Sequence, residues 1–233
     1  MPPEPAPREP PTPEQALQWV LSMYRQGWFP MYDDASRQVQ WVQPHHRGII
    51  PLDDRFTASR SLRALVRRRH FVVTSDTAFI DVIEACAAPA KGREDTWLSD
   101  EIIDAFVAMH EKGLAHSIEV WTRGPRRTLV GGLYGLRLGS VFCGESMFSR
   151  PDLGGTNASK VALVHLVHHL RRQGFTLLDS QMENDHLAQF GCFTIPREEY
   201  LRHLVKHALD DACWGDFDAD FAPGQFESRS GPR

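Results

Sequence analysis

The chain has 233 residues and a mass of 26.4 kDa, with 42% hydrophobic and 24% charged residues. These values fit one large domain, or one domain with a small companion, and exclude a disordered, collagen-like or coiled-coil chain. Its 26 Lys and Arg stand against 30 Asp and Glu, a formal net charge of −4, so no strongly basic nucleic-acid binder is announced.

Seven of the sixteen prolines fall within the first thirteen residues, so 1–13 reads as a disordered, proline-rich tail. Thr12-Pro13-Glu14-Gln15 reads as a helix N-cap, a proline at the first helical position and an acidic first turn. That helix carries Leu17, Val20, Leu21 and Tyr24 at helical spacing and stops at Gly27. A loop then holds Trp28 to Tyr32, followed by a strand-like pair, Gln38–Val42 and Gly48–Leu52. Residues 14–60 thus read as a small N-terminal α+β domain.

Thr57 to Arg69 reads as a helix with Leu62, Leu65 and Val66 inward. A strand over 71–74 and helices over 77–87 and from Ser99 towards Gly113 come next. Three strands follow, over 115–121, 128–136 and 140–148. A long amphipathic helix over 158–173, a buried strand over 175–179, a short helix near Asp185 and a last helix over 196–209 complete the order. Meandering strands, a long helix and one more strand make a mixed α+β layer architecture, in the order of the GCN5-related acyltransferase core. The expected boundaries are 61–209 for this domain and 210–233 for an acidic C-terminal tail. Asp210–Asp220 holds five Asp and no Lys or Arg, which leaves the rest of the chain slightly positive and open to an anionic partner.

The four cysteines form no C-x-x-C pair and fit no zinc module. Free thiols without a secretion signal point to a reducing cytoplasm, and no apolar run approaches the ~20 residues needed to cross a bilayer. His165 and His169 stand at i, i+4 spacing, but their helix supplies no carboxylate, so no metal is expected there. Gly131, Gly132, Gly135 and Gly139 read as lying inside strands, which suits close backbone approach or bulges beside a ligand rather than a phosphate loop.

Three features could carry chemistry. In Gly144-Glu145-Ser146-Met147-Phe148 a carboxylate sits among apolar neighbours at a strand end and must be paired or protonated. Asp179-Ser180-Gln181 ends an apolar strand where a crevice would open, and a carboxylate beside an amide can orient an attacking amine. The arginines Arg60, Arg63, Arg67, Arg68 and Arg69 cover more than one helical face, as a solvated surface or a phosphate-contacting patch.

Several runs, taken together, resemble the leucyl/phenylalanyl-tRNA–protein transferases. They are Gly131-Gly-Leu-Tyr-Gly, Phe142-Cys-Gly-Glu-Ser-Met-Phe-Ser-Arg150, Ala158-Ser-Lys160 and Leu178-Asp-Ser-Gln181. Phe29-Pro30, Thr96-Trp97, Ala115 to Trp121 and Asn184 to Leu187 extend the likeness over roughly residues 20 to 205. The resemblance implies a small N-terminal domain joined to a GCN5-like one, without cofactor or metal. It implies transfer of Leu or Phe, and sometimes Met, from aminoacyl-tRNA to proteins with N-terminal Arg or Lys, marking them for N-degron degradation. By resemblance Asp179 polarises Gln181, whose amide oxygen accepts from the attacking amine, while Glu145 holds the amine or the acceptor's basic side chain. The donor side-chain pocket maps onto Leu133, Phe142, Met147, Leu163, Leu166 and Leu178. Trp97 and Met31 fall beside the terminal adenosine, Met31 standing where the family has tryptophan, and Arg60, Arg63, Arg67 and Arg68 become contacts to the tRNA.

The sequence also departs from the family in the link after Arg150, lengthened by Pro151 to Thr156, and in the proline tail that replaces a Gly-rich segment. These departures leave room for an altered acceptor preference. Two rival readings are an acetyl-CoA acyltransferase, whose pyrophosphate-loop spacing fails at Leu153, and a non-catalytic module binding tRNA or N-degrons.

Overall fold

The computed structural model describes residues 12–33, 36, 38–89 and 98–221. Most of the proline tail, Trp97 and the final residues 222–233 lie outside the described residues.

The first helix, α1 (Pro13–Arg25), begins as its sequence requires: Thr12 and Gln15 form a reciprocal capping box, with proline in the first turn. β1 (Phe29–Asp33) and β2 (Gln38–Val42) form a two-stranded antiparallel sheet. The loop expected at Trp28–Tyr32 is therefore mostly strand. Pro30 fits because a two-stranded ribbon has a free edge where a missing N–H costs nothing. The strand over 38–42 does not pair with the one that follows it. That next strand, β3 (His46–Ile50), instead joins a seven-stranded sheet.

The remaining elements are α2 (Arg60–Arg67), β4 (Val72–Ser75), α3 (Phe79–Ala87), α4 (Asp100–Glu111), β5 (Ala115–Trp121), β6 (Leu129–Leu138) and β7 (Val141–Ser149). After a short 3-10 turn at Pro151–Leu153 come α5 (Ala158–Arg172), β8 (Leu177–Gln181), α6 (Asp185–Ala188), β9 (Phe193–Pro196) and α7 (Arg197–His207). The main sheet has the order β4-β5-β6-β7-β8-β3-β9. Its neighbours are antiparallel except β7 and β8, which α5 connects as a parallel pair. This is a mixed α+β fold with a GCN5-like domain.

Two apolar layers sandwich the sheet. On one face Leu17, Leu21, Tyr24, Val82, Phe106, Tyr200 and their neighbours join α1, α3, α4 and α7 to the strands. On the other, Leu62, Val66, Val161, Leu163, Val164 and Leu170 pack α2 and α5 against it. Helix α5 sits tightly on the sheet at Gly131, where an added Cβ would stand 2.4 Å from the Ala158 Cβ. The reading of that glycine as a point of close backbone approach thus has a definite partner.

Helix α5 is buried on nearly all sides, not one. The acidic segment after α7 covers its outer face with three aromatics. Trp214 and Phe217 pack beside His169, and Phe221 stacks on His168 at 3.9 Å. The α5 histidines are thereby packing groups, and burial pushes His165 down to about 3 and His169 to about 4.

Candidate active site

The parallel ladder between β7 and β8 is short: Val141 pairs with Leu177, Phe142 with Leu178 and Cys143 with Asp179. Beyond Cys143 and Asp179 the strands part, β7 continuing along β6 and β8 along β3. A crevice at the carboxyl ends of parallel strands is where open sheets place their sites. Glu145 and Gln181 each lie two residues past the last paired position, one on each lip.

Local irregularities aim both side chains. On β7, Tyr134 faces Ser146 while Gly135 faces Gly144, so Glu145 is the extra residue of a β-bulge. A bulge re-aims a side chain that a regular strand would point elsewhere. On β8, Gly48 faces Gln181 and Ile49 faces Asp179, which makes Ser180 the extra residue of a second bulge. Gln181 has φ +58°, a left-handed conformation unusual for glutamine. Gly48 permits this turn, since a Cβ there would lie 2.8 Å from the backbone of Met182 and Glu183.

Asp179 is fully buried and held from four directions. Arg47 Nε donates to Oδ1 at 2.8 Å and Arg47 Nη2 donates to Oδ2 at 2.7 Å. The Tyr200 hydroxyl donates to Oδ2 at 2.8 Å, and the Gln181 backbone N–H donates to Oδ1 at 2.9 Å. Asp179 therefore reaches Gln181 through its backbone; the Gln181 side-chain Nε2 is buried with no hydrogen-bond partner among the described residues. Arg47 is itself buried, lies between the rings of Phe29 and Tyr200, and donates through Nη1 to the Gly27 carbonyl at 3.1 Å. Burial, the largest influence, would push its guanidinium down, but the charge and hydrogen bonds of Asp179 together with Tyr200 and Cys143 outweigh it and the net direction is up. A buried pair with this bond set offsets its desolvation, whereas removing one partner strands a charge.

Glu145 is not held by the bonds that fix Asp179; the Tyr24 hydroxyl lies beside it. Its residue is half-buried, yet Oε1 is withdrawn from solvent and makes no hydrogen bond among the described residues. Burial, and then the Asp179 charge, push the Glu145 carboxyl up to about 8, against the opposing pull of the nearby Tyr24 hydroxyl and Arg47. Burial also drives Tyr24, Tyr200 and the Cys143 thiol well above their ordinary values, so all three stay protonated at neutral pH. Among these neighbours Glu145 is the group that gains and loses a proton near neutrality.

The other sequence-designated residues fall in separate places. Leu133, Phe142, Leu163, Leu166 and Leu178 belong to one buried cluster under α5, with Met147 packed against it. They meet, but as close-packed core on the face opposite Arg47 and Tyr24. Three cavities of about 370, 400 and 870 Å³ are lined by other side chains. Arg60, Arg63, Arg67 and Arg68 are exposed along and just beyond α2, while Met31 packs on the cluster of the opposite face. Arg47 and Tyr200 escaped the sequence reading, and Tyr24 entered it only as an inward position of the first helix. For Arg47 the available signal is an arginine directly before the apolar run Gly48-Ile49-Ile50, at the second position of β3.

Among the described residues no group of three His, Cys, Asp or Glu could hold a metal ion, and no helix is long and apolar enough to cross a membrane. The family model described as leucyl/phenylalanyl-tRNA protein transferase matches residues 49–205. A leucyl/phenylalanyl-tRNA–protein transferase from Pelodictyon phaeoclathratiforme is 48% identical over 190 residues, covering 82% of this chain and 93% of that protein. One of the same name from Novosphingobium aromaticivorans is 50% identical over 189 residues, covering 80% and 68%. The crystal structure of FemX superposes with a TM-score of 0.53 at 12% identity, over 78% of this chain and 66% of that one, a likeness of fold.

Proposed function

The chain belongs to the leucyl/phenylalanyl-tRNA protein transferase family, and we propose on that basis that it transfers leucine or phenylalanine from aminoacyl-tRNA to the α-amine of proteins beginning with Arg or Lys. The observation that carries the reading is the pair Glu145 and Gln181 on the two lips of the parting strands, in a family whose members are named for this transfer. The donor ester is already activated, so the reaction needs position, a proton acceptor and a group to orient the amine.

The acceptor's α-amine has a reference pKa of about 8. It enters the crevice neutral, and the free amide of Gln181 orients it. The amine nitrogen attacks the ester carbonyl carbon, and its proton passes to the Glu145 carboxylate. The tetrahedral intermediate then collapses, the bond to the terminal ribose oxygen breaks, and the Glu145 carboxyl returns the proton to that oxygen, which leaves as a hydroxyl while Glu145 regains its charge. An acceptor group near pH 8 suits this task, because general bases work best close to the working pH. Asp179 is a positioning residue: its four bonds leave it no free lone pair of good geometry, and it fixes Gln181 in its left-handed turn. The α2 arginines supply contacts for the tRNA, and the product is an N-degron in the cytoplasm. One methylene is worth only about 1–3 kcal/mol of discrimination, so Met passes as a weaker donor.

The test uses the purified chain with tRNA charged with Leu, Phe, Met or Ile and peptides beginning with Arg, Lys, Asp or Glu. Mass spectrometry should find Leu or Phe on Arg and Lys peptides only. Transfer to Asp or Glu peptides would replace the acceptor assignment, and tRNA binding without any transfer would overturn the reading.

A further inference from the structure

A cavity of about 870 Å³ opens beyond the far end of β7, away from the residues assigned above to the transfer chemistry. Its walls come from three separated stretches: the turn after α2 (Arg68, Arg69, His70), the β5–β6 hairpin (Thr122, Arg123) and the loop before α5 (Gly154). The hairpin reads Thr122-Arg-Gly-Pro-Arg-Arg-Thr128 and exposes Arg123, Arg126 and Arg127. Arg123 Nε donates to the Arg69 carbonyl, which ties the hairpin to the end of α2. Among the described residues, Arg68, Arg123, Arg126 and Arg127 form no ion pair. Arg69 does have one: its Nη1 lies 3.3 Å from Asp220 Oδ1, and its Nη2 donates to the Asp220 carbonyl.

The chemistry is that of an anion groove. Arginine forks without carboxylate partners favour phosphate oxygens, which they can contact with two N–H groups at once. The anion paired with Arg69 at the rim is a carboxylate from the chain's own acidic segment, Asp220. Position narrows the ligand further. Beta strand β7 carries Glu145 and ends at Ser149, a run of on the order of 15 Å at strand rise. A polyanion whose reacting end sits at Glu145 would pass this groove a few nucleotides later.

We propose that the groove between the α2 turn, the β5–β6 hairpin and the 151–156 loop binds the RNA phosphate backbone, with Asp220 as an intramolecular competitor for Arg69. The inference rests on aminoacyl-tRNA being the donor. It goes beyond the α2 arginines by adding a second wall, Arg123, Arg126 and Arg127, and by giving the acidic segment a part in RNA affinity.

The test is equilibrium binding of uncharged tRNA by fluorescence anisotropy between 50 and 200 mM salt, with full-length variants. The triple variant Arg123→Ala, Arg126→Ala, Arg127→Ala should weaken binding at least tenfold at the low-salt end. It should also flatten the slope of log K against log salt by about 2 to 3, as expected for two or three lost phosphate contacts. Asp220→Asn should act in the opposite direction and tighten binding by about two- to fivefold. Unchanged affinity and slope in the triple variant would overturn the proposal. So would polyglutamate competing as well as RNA at equal charge, which would mark the groove as a site for acidic protein. Because uncharged tRNA is used, binding is read without transfer. A wild-type chain that binds tRNA through the hairpin yet transfers nothing would sink the enzymatic reading and leave this one standing.

Discussion

Glu145→Gln should stabilise the protein and disable it at once, and the size of the first effect follows from the buried carboxyl. In the unfolded chain this group ionises near its ordinary 4.5; in the folded chain burial and Asp179 delay ionisation to about 8. Between those values the unfolded state releases a proton that the folded state keeps. A carboxyl raised in this way favours folding fully below pH 4.5, and that advantage is lost as pH climbs towards 8. Each pH unit in the window is worth about 1.4 kcal/mol, so about 3.5 units set a ceiling of about 5 kcal/mol. Glutamine keeps the shape and cannot ionise. Urea unfolding at pH 5, 6.5 and 8 should therefore show a variant close to wild type at pH 5 and more stable by roughly 2–4 kcal/mol at pH 8, after relaxation trims the ceiling. Single-turnover transfer in the same preparations should fall about 10²- to 10⁴-fold, the range for a lost general base. A stability difference that does not grow with pH, or transfer near the wild-type rate, would refute this account of Glu145.

Asp179→Asn leaves Arg47 buried and unpaired, and should cost about 3–5 kcal/mol in denaturant unfolding. It also removes a charge that raises Glu145, so the rise of kcat/KM on the acidic limb of its pH profile should shift to lower pH; Arg47→Met should shift it to higher pH. Trp214→Ala empties a site packed against Phe142, His116 and His169, and should lower stability by about 3–5 kcal/mol. Hydrogen exchange should then show the 211–221 segment losing protection before the sheet does. Gly131→Val drives a side chain into Ala158 and should lower the thermal midpoint well before it changes which donors are used.

Much of this arrangement is legible in the sequence because it is local. The strands over 115–121 and 140–148 and the helix over 158–173 show their periods directly, and the strings around Glu145 and Asp179 mark the site. Long-range pairing is what the sequence conceals. Arg47 and Asp179 are 132 positions apart, and only the insertion of β3 beside β8 brings them together. The bulge at Glu145 is invisible for a related reason, since it is a mismatch of register between two strands and not a property of either one. β1 hides behind Pro30, and β9 is a four-residue edge strand with too few residues to show alternation. In the last segment the five aspartates dominate the reading, while Trp214, Phe217 and Phe221 do the packing.

The central claim, that the parting of β7 and β8 is where the amine meets the ester, is tested most directly by Gln181→Gly. Glycine accepts the left-handed backbone at position 181 without strain, so the fold should be kept or gain roughly 1 kcal/mol while the amide is lost. The measurement is leucyl transfer from charged tRNA to an Arg-initiated peptide under single turnover, with tRNA affinity recorded on the same samples. The account predicts transfer reduced at least a hundredfold with tRNA affinity unchanged. Transfer at the wild-type rate by Gln181→Gly would place the chemistry elsewhere in the molecule.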